Sequence, residues 1–149
     1  MANQVDAAGE EFIIGLEGDH LDAYPDAEGI WTDGVGHTGG VRPYQKITAA
    51  QDRTQFRADL SIVAAAIEKS VKVPLNQNQF NALSAFVFNI GCSAFEASTL
   101  LKAINAKTEP GVTFQWMRWD KIKKNGKFEV CEGLLNRRAK EVALWRKPE

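Results

Sequence analysis

The chain has 149 residues, of which 44% are hydrophobic and 25% charged, and its formal net charge at neutral pH is −1. This composition is typical of one globular domain and excludes a disordered chain. A membrane-spanning protein is excluded because no run approaches about 18 apolar residues. The net charge of −1 excludes a module that binds nucleic acid through net positive charge. Residues 1–60 carry eleven acidic and four basic side chains, whereas residues 111–149 carry five and ten, a pattern that fits either opposed walls of a cleft or two solvated faces.

The first predicted element is a helix that carries a glutamate at its end. Apolar residues recur at helical spacing from Phe12 to Leu16, and Gly18 is typical of the residue that follows a helix. Glu17 is therefore expected in the last helical turn. There the negative end of the helix dipole disfavours an ionised carboxylate, which suits a side chain that must donate a proton.

A β-hairpin is predicted next. The segment 21–37 lacks helical periodicity, and its turn residues place Asp26 at the bend between two short strands. In the second strand Thr32 shares one face with Gly34 and Gly36. The glycines leave that face without side-chain bulk, which provides room for a ligand or allows close backbone packing.

Capping signals predict two helices in the middle of the chain. Thr48 and Gln51 form a capping-box pattern that opens a long helix over about 48–72. The amide-rich run at 76–79 can cap the next helix, which Gly91 ends. The apolar stripe of this second helix is the strongest core signal in the sequence.

The last third of the chain is predicted to contain short helices around a basic loop. Ser98 can cap one helix, a further helix covers about 112–119, and the last covers 134–145. Residues 121–127 are rich in lysine and turn formers and are predicted to form a loop. Three tryptophans in these helices are expected in the core: Trp116, Trp119 and Trp145.

The cysteine and histidine counts bear on metal and redox chemistry. Cys92 and Cys131 lie about forty residues apart, so neither metal-binding nor redox spacing is present. They are expected to be reduced thiols, and the alternative is a disulfide that forms after export. With only two histidines and no clustered ligands, no metal site is predicted.

Several spaced motifs together resemble one protein family. Glu17, Asp26 and Thr32 are separated by eight and five residues, and a Gly-Val-Gly-His run follows at 34–37. The other segments of the resemblance are Asn78-Gln79, Phe86-Val87-Phe88-Asn89-Ile90-Gly91, Ser98-Thr99-Leu100, and Gly133-Leu134-Leu135-Asn136-Arg137-Arg138 with Glu141. In this order the chain resembles the phage-type lysozymes, the muramidases that phages use as endolysins. The resemblance extends from Phe12 to Trp145.

The resemblance implies an α+β, lysozyme-like fold that is mainly α-helical. A single domain is expected over residues 1–149. Its small N-terminal β-hairpin lobe, about 12–50, and its helical C-terminal lobe, about 74–146, are expected to be joined by the long helix.

The resemblance also implies an activity. Family members hydrolyse the β-1,4 bond between N-acetylmuramic acid and N-acetylglucosamine in peptidoglycan. By carry-over, Glu17 protonates the glycosidic oxygen, Asp26 supports the cationic transition state and orients a water, and Thr32 helps to hold that water. Asp26 could instead attack the sugar itself; Thr32 favours the water route, so inversion is predicted.

Four further residues are implied in substrate binding. Thr38, Phe88 and Ser98 are expected to line the cleft, and Arg137 is expected to approach Glu17 from the other lobe. Such a cation favours the ionised carboxylate, opposing the helix dipole. His37 is expected to be structural and paired with a carboxylate. No metal or organic cofactor is implied.

The expected partner is the peptidoglycan glycan strand, with no nucleic acid and no stable membrane association, and the protein is expected to be a monomer. The N-terminal residues show neither an export signal nor a membrane segment. The protein is therefore expected in the host cytoplasm until a holin-type pore admits it to the cell wall. The rival functions are a lytic transglycosylase that cleaves the same bond and a catalytically silent peptidoglycan-binding module.

Overall fold

A computed structural model describes residues 2–149; Met1, the first residue of the segment predicted to carry no export signal, lies outside the described residues. Within them the chain forms seven helices and two separate antiparallel hairpins. In chain order the elements are α1 (Ala7–Glu17), β1 (His20–Pro25), β2 (Trp31–Gly34), α2 (Ala49–Ser70), α3 (Gln77–Ile90), α4 (Cys92–Glu96), α5 (Thr99–Ala106), α6 (Gly111–Met117), β3 (Lys121–Lys124), β4 (Lys127–Val130) and α7 (Glu132–Arg146). The predicted α+β class, mainly helical with an N-terminal hairpin, is confirmed.

Capping side chains explain where the two longest central helices begin. Thr48 accepts a hydrogen bond from the backbone N–H of Gln51, whose side chain accepts one from the N–H of Thr48. Asn76 and Gln79 make the same reciprocal pair at the start of α3. Each pair satisfies backbone donors that the first helical turn leaves without partners. Both predicted caps are confirmed, and α1 ends as predicted before Gly18, which has a φ of 78°.

The basic segment at 121–127 is a β-hairpin, so its prediction as a loop was wrong. Strands β3 and β4 pair antiparallel, and the turn between them has Asn125 at a φ of 52° and Gly126 at 79°. Two successive positive φ angles define the tight turn that matches the twist of paired strands, and Asn-Gly adopts them most readily. The Asn-Gly turn signal was present, and Lys127-Phe128-Glu129-Val130 alternates between polar and apolar residues, but the four lysines of the segment favoured a solvated loop.

The main core lies within the helical part of the chain. Its largest buried side chains come from α3, α5, α6 and α7: Phe80, Leu83, Phe86, Leu100, Trp116 and Trp145. Trp116 is fully buried, and Trp119 packs against the cluster while partly exposed. The predicted core position is confirmed for Trp116 and Trp145, whereas Trp119 lies at the edge of the core, after the end of α6.

Helix α1 is anchored to α3, which belongs to the helical body, the group of helices that surrounds the main core. Asp6 caps α1 by accepting from the N–H of Gly9, and the same oxygen accepts from Asn81 Nδ2 of α3 at 2.8 Å. A Cβ on Gly9 would collide with the Asn81 side chain, so the glycine allows this close approach. Ile13 packs in a second, smaller cluster with residues of α2 and α3. Strand β2, by contrast, packs on α2.

The glycine-rich face of β2 is closely packed at Gly34. Asp33 is fully buried, and its carboxylate accepts hydrogen bonds from Gln55 at 2.8 Å and from Gln45 at 3.3 Å. A Cβ on Gly34 would lie 2.6 Å from Asp52 Oδ1. The sequence allowed either room for a ligand or close packing on this face. At Gly34 the face is closely packed, because side chains of α2 fill the space.

A buried carboxyl group on α2 makes stability depend on pH. Asp52 is 7% exposed, and its Oδ1 has no hydrogen-bond partner among the described residues. Burial, together with the neighbouring carboxylates of Asp19 and Asp33, raises the pKa of Asp52 to about 6, while Arg53 opposes the shift. The unfolded chain has a pKa of about 3.9 for this group. Its contribution to stability is therefore complete below that value and is lost as pH rises through about 6.

We expect Asp52→Asn to raise the free energy of unfolding near pH 7.5 by about 1–3 kcal/mol, a gain that shrinks as pH is lowered towards about 4. Urea denaturation across this pH range measures the effect. Glu68→Gln removes an exposed charge from the same helix and should show no such dependence. A gain that is equal at all pH values would contradict the prediction.

Candidate active site

Glu17 lies where the helical body meets the loop after β2. Its Oε2 is 3.1 Å from Arg137 Nη1 of α7, and the two side chains are 15% and 8% exposed. On the other side, Gly36 has a φ of 60°, and a Cβ there would lie 3.1 Å from the Glu17 carboxyl carbon. The carboxyl group is thus held between a buried cation and a glycine backbone. The approach of Arg137 from another helix agrees with the sequence-based expectation.

Asp26 combines a turn role with a free carboxylate oxygen. Its Oδ1 accepts hydrogen bonds from the backbone N–H groups of Glu28 at 2.9 Å and Ile30 at 2.8 Å, which fixes the orientation of the carboxylate at the hairpin bend. Within residues 2–149, Oδ2 accepts none. That oxygen can therefore accept a hydrogen bond from a water or a sugar.

Thr32 lies on β2 and is 3% exposed. Its hydroxyl donates to the carbonyl oxygen of Ile30 at 2.9 Å. Because a hydroxyl has one donor and two acceptor lone pairs, Thr32 can still accept a hydrogen bond. Asp26 and Thr32 thus belong to one hairpin, and both offer acceptor sites.

Tyr24 is a site residue that the sequence analysis missed. It lies opposite Thr32 in the register of the first hairpin. Burial, followed by the negative charges of Glu17 and then of Asp26, raises the pKa of the Tyr24 phenol. The phenol is therefore a neutral donor that lies within the electrostatic reach of both carboxylates. The pairing of β1 with β2 is the signal that could have identified it.

A pocket of about 230 Å³ adjoins Gly36, the glycine that packs against Glu17, although Glu17, Asp26, Thr32 and Tyr24 do not line it. It is lined by the loop after β2, by α2 and by the end of α3, with Gly36, His37, Thr38, Gly39, Asp59, Ile62, Val63, Val87, Phe88, Gly91 and Cys92 as lining residues. Thr38 and Phe88 are thus brought together, and Gly36 joins the pocket to Glu17. A larger cavity of about 400 Å³ between the N-terminal segment and α2 contains none of the predicted site residues. The smaller pocket is therefore the candidate for substrate binding, because it contains Thr38 and Phe88 and adjoins Glu17 through Gly36.

Ser98 lies apart from this pocket. It is 5% exposed and caps α5, accepting from the N–H of Leu101 at 3.1 Å and donating to the carbonyl oxygen of Phe95 at 2.7 Å. The residues that line the pocket do not include it. The helix cap expected at Ser98 is therefore present, and its expected place in the cleft stays a prediction.

His37 ties the loop after β2 to α2. Its Nδ1 is 2.6 Å from Asp59 Oδ2, and its Nε2 is 2.9 Å from the carbonyl oxygen of Gly39. Both partners are acceptors, an arrangement that suits a ring that donates from both nitrogens. The structural pairing with a carboxylate that the sequence suggested is present, and it fixes one wall of the pocket.

Three further features of residues 2–149 concern metal ligation, the two cysteine thiols and the apolar character of the helices. No group of three or more histidine, cysteine, aspartate or glutamate side chains in this range is arranged to hold a metal ion. Cys92 and Cys131 are free thiols, and burial raises the pKa of Cys92. None of the helices in the described range combines the length and apolar character needed to cross a membrane.

Comparisons with known proteins identify relatives of this chain. The family model described as phage lysozyme matches residues 15–141. An endolysin of Acyrthosiphon pisum secondary endosymbiont phage 1 is 43% identical over 129 residues, which cover 87% of this chain and 88% of that protein.

Two solved structures are similar over almost the whole chain. The endolysin from Escherichia coli O157:H7 phage FAHEc1 has a TM-score of 0.88 at 35% identity, covering 98% of this chain and 97% of that one. The muramidase domain of SpmX from Asticaccaulis excentricus has a TM-score of 0.87 at 34% identity, covering 97% of this chain and 99% of that one. The resemblance seen in the sequence is confirmed, and the chain belongs to the phage lysozyme family.

Proposed function

We propose that this phage lysozyme acts as an endolysin, hydrolysing the β-1,4 bond between N-acetylmuramic acid and N-acetylglucosamine in bacterial peptidoglycan and thereby lysing the host cell. In this proposal the chain is one domain whose hairpin lobe and helical lobe face each other across the pocket. The relatives named endolysin and muramidase support it.

The observation that carries the proposal is the placement of the two carboxyl groups. Glu17 belongs to a helix packed on the helical body, whereas Asp26 belongs to the hairpin. Glycoside hydrolysis needs one carboxyl group on each side of the scissile bond, one to donate a proton and one to act on the opposite face of the sugar. A carboxyl group on α1 and another at the hairpin bend suit a chain-like substrate that passes between them.

In the first part of the proposed reaction, protonated Glu17 donates its proton to the glycosidic oxygen. The bond between that oxygen and the anomeric carbon breaks, and the oxygen leaves as a sugar hydroxyl. Glu17 becomes a carboxylate at that moment, with Arg137 Nη1 at 3.1 Å to stabilise the new charge. The same contact is formed before the substrate binds, so little reorganisation is needed.

In the second part, a water attacks the anomeric carbon from the opposite face. One of its hydrogens points to the free Oδ2 of Asp26 and the other to the acceptor lone pairs of Thr32, which leaves an oxygen lone pair directed at the sugar. Asp26 takes the proton as the new bond forms, and the anomeric configuration inverts. The Tyr24 phenol is available to donate to the sugar or to either carboxylate.

The test is an analysis of the products released from purified peptidoglycan. Mass spectrometry should find muropeptides with reducing ends, each heavier by one water than the anhydro product of a lytic transglycosylase. Proton NMR at early times should show the inverted anomer first. Anhydro products would identify the transglycosylase alternative, and binding without any released product would identify a silent wall-binding module.

A matched pair of glycine variants tests the position of Glu17. An alanine at either Gly36 or Gly126 must adopt a positive φ, which costs about 1–2 kcal/mol of stability in each case. Only at Gly36 would the new methyl group press on the Glu17 carboxyl, because nothing lies within 4 Å at Gly126, in the turn of the second hairpin.

Gly36→Ala is therefore expected to lower the hydrolysis rate by about 10–100-fold, since small displacements of a reacting group are costly, while Gly126→Ala keeps most of the wild-type rate. The rate of reducing-end release, measured below the melting temperature of both variants, is the quantity to compare. Equal rates in the two variants would contradict the placement of Glu17 against this glycine.

The remaining expectations of the sequence stay predictions. They are the monomeric state, synthesis in the host cytoplasm and access to the wall through a holin-type pore. Size-exclusion chromatography with light scattering tests the first, and lysis timing in cells with and without a pore-forming partner tests the other two.

A further inference from the structure

A buried group of charges on α7 lies directly behind the proposed acid. Glu141 is 0% exposed, Arg138 1% and Arg137 8%. On one helix, residues at these spacings lie on neighbouring turns of the same side. The proposed mechanism uses only Arg137, so the roles of the other two charges are unassigned.

All the hydrogen bonds of Glu141 are made inside the protein. Its Oε1 accepts from Arg138 Nη1 at 2.7 Å and from the indole Nε1 of Trp116 at 3.1 Å, and its Oε2 accepts from Arg137 Nε at 3.0 Å. A fully buried carboxylate with three donors cannot touch a substrate. Any effect of Glu141 on the reaction must pass through a neighbour.

Arg137 is that neighbour, because each nitrogen of its guanidinium has a different partner. Nε donates to Glu141, Nη2 donates to the carbonyl oxygen of Ala85 on α3 at 2.9 Å, and Nη1 is 3.1 Å from Glu17 Oε2. A planar guanidinium has a rigid donor geometry. Two of its three positions are therefore fixed by the protein interior, and the third is presented to Glu17.

Glu141 also sets the net charge behind the active site. Arg138 is held away from Glu17 by the carbonyl oxygen of Trp119 at 2.7 Å, by Asn89 Oδ1 and by the ring of Phe86 at 4.9 Å. Burial lowers the pKa of Arg138, whereas the charge of Glu141 raises it. With Glu141 ionised, the two arginines and the glutamate carry one positive charge in total; without it they would carry two.

We propose that Glu141 is a positioning residue for Glu17, fixing Arg137 in place and limiting the positive charge that faces the acid so that Glu17 keeps its proton at working pH. This inference rests on the proposed function. The charged and ionisable groups near Glu17 are Arg137 and Arg138 from α7 and Tyr24 from β1, against which His20 packs. Those facing Glu141 are the two arginines, with the neutral indole of Trp116 from α6.

The test is the pH dependence of kcat for variants that change this charge in opposite directions. Glu141→Gln removes a negative charge, which favours ionised Glu17, so the alkaline limb should move to lower pH by on the order of one unit. Arg138→Gln removes a positive charge and should move the limb to higher pH. The double variant should return it close to the wild-type position.

Glu132→Gln is the matched control, because it removes an exposed negative charge from the first turn of the same helix. Its alkaline limb should coincide with that of the wild type. Assays are run at a temperature where far-UV circular dichroism shows each variant folded; if Glu141→Gln does not fold, the upward shift in Arg138→Gln alone decides.

A purely structural role would lower kcat in both single variants without moving their limbs in opposite directions. Limbs that stay in place, or that move the same way in both, would overturn the inference. The proposed function is judged separately, by whether the wild type and Glu132→Gln release reducing ends at all.

Discussion

Replacing Glu17 by glutamine is expected to lower the rate of peptidoglycan hydrolysis by about 10²–10⁴-fold, the range that a positioned proton donor contributes. Glutamine matches the shape of glutamate but cannot transfer a proton to the leaving oxygen. Arg137 would keep its hydrogen bonds to Glu141 and to the carbonyl of Ala85, so the helical body should remain folded. The initial rate of reducing-end release, with circular dichroism as a check on folding, measures the effect.

The control for this prediction is Glu11→Gln. Glu11 lies on α1 as well but is exposed to solvent, so its replacement changes the net charge by the same amount without touching the pocket. It should keep nearly the full rate. A Glu17 variant as active as this control would remove Glu17 from the role of acid, and equal losses in both would point to the charge of the helix.

The largest expected effect on stability follows from truncation of the buried Trp116. Its ring centroid lies 5.2 Å from those of Phe86 and Trp145, and its indole N–H donates to Glu141. Trp116→Ala would leave a cavity at the centre of the main core and remove one of the three donors to a buried carboxylate. We expect a loss of about 3–5 kcal/mol in the free energy of unfolding, measured by urea denaturation.

Phe114 supplies the comparison for Trp116. It lies on the same helix but is 64% exposed, so Phe114→Ala should change the free energy of unfolding by no more than about 0.5 kcal/mol. Trp116→Phe should fall between the two, since it keeps an aromatic ring and loses the indole donor. A loss below about 1 kcal/mol for Trp116→Ala would mean that this residue does not organise the core.

Local signals in the sequence predicted most of the elements correctly. The reciprocal caps at Thr48 and Asn76 act within one helical turn, and Gly18 ends α1 through its own backbone conformation. Such effects depend only on neighbours in the chain, which is why they can be read without a structure. The hairpin bend at Asp26 was predictable for the same reason.

Pairing between strands was harder to predict. The second hairpin was missed although Asn125 and Gly126 form its turn, because a strand is stabilised by its partner and by the face it covers. Tyr24 was missed as a site residue because its role depends on its partner Thr32 in the register. The capping role of Ser98 was predicted from the sequence and is present at the start of α5, whereas its place in the cleft came from the resemblance alone and stays a prediction.

By itself the sequence determined six of the seven helices, the caps of α2 and α3, the end of α1, the hairpin bend and the spacing of Glu17, Asp26 and Thr32, whereas the short α4 was not predicted. Only the tertiary structure decided that α1 packs on α3 and that Arg137 bridges Glu17 and Glu141. Helix capping and periodicity act over a few residues, whereas burial and ion pairing act between groups that are close in space and distant in the chain. The charges that surround the acid are therefore visible only after the chain has folded.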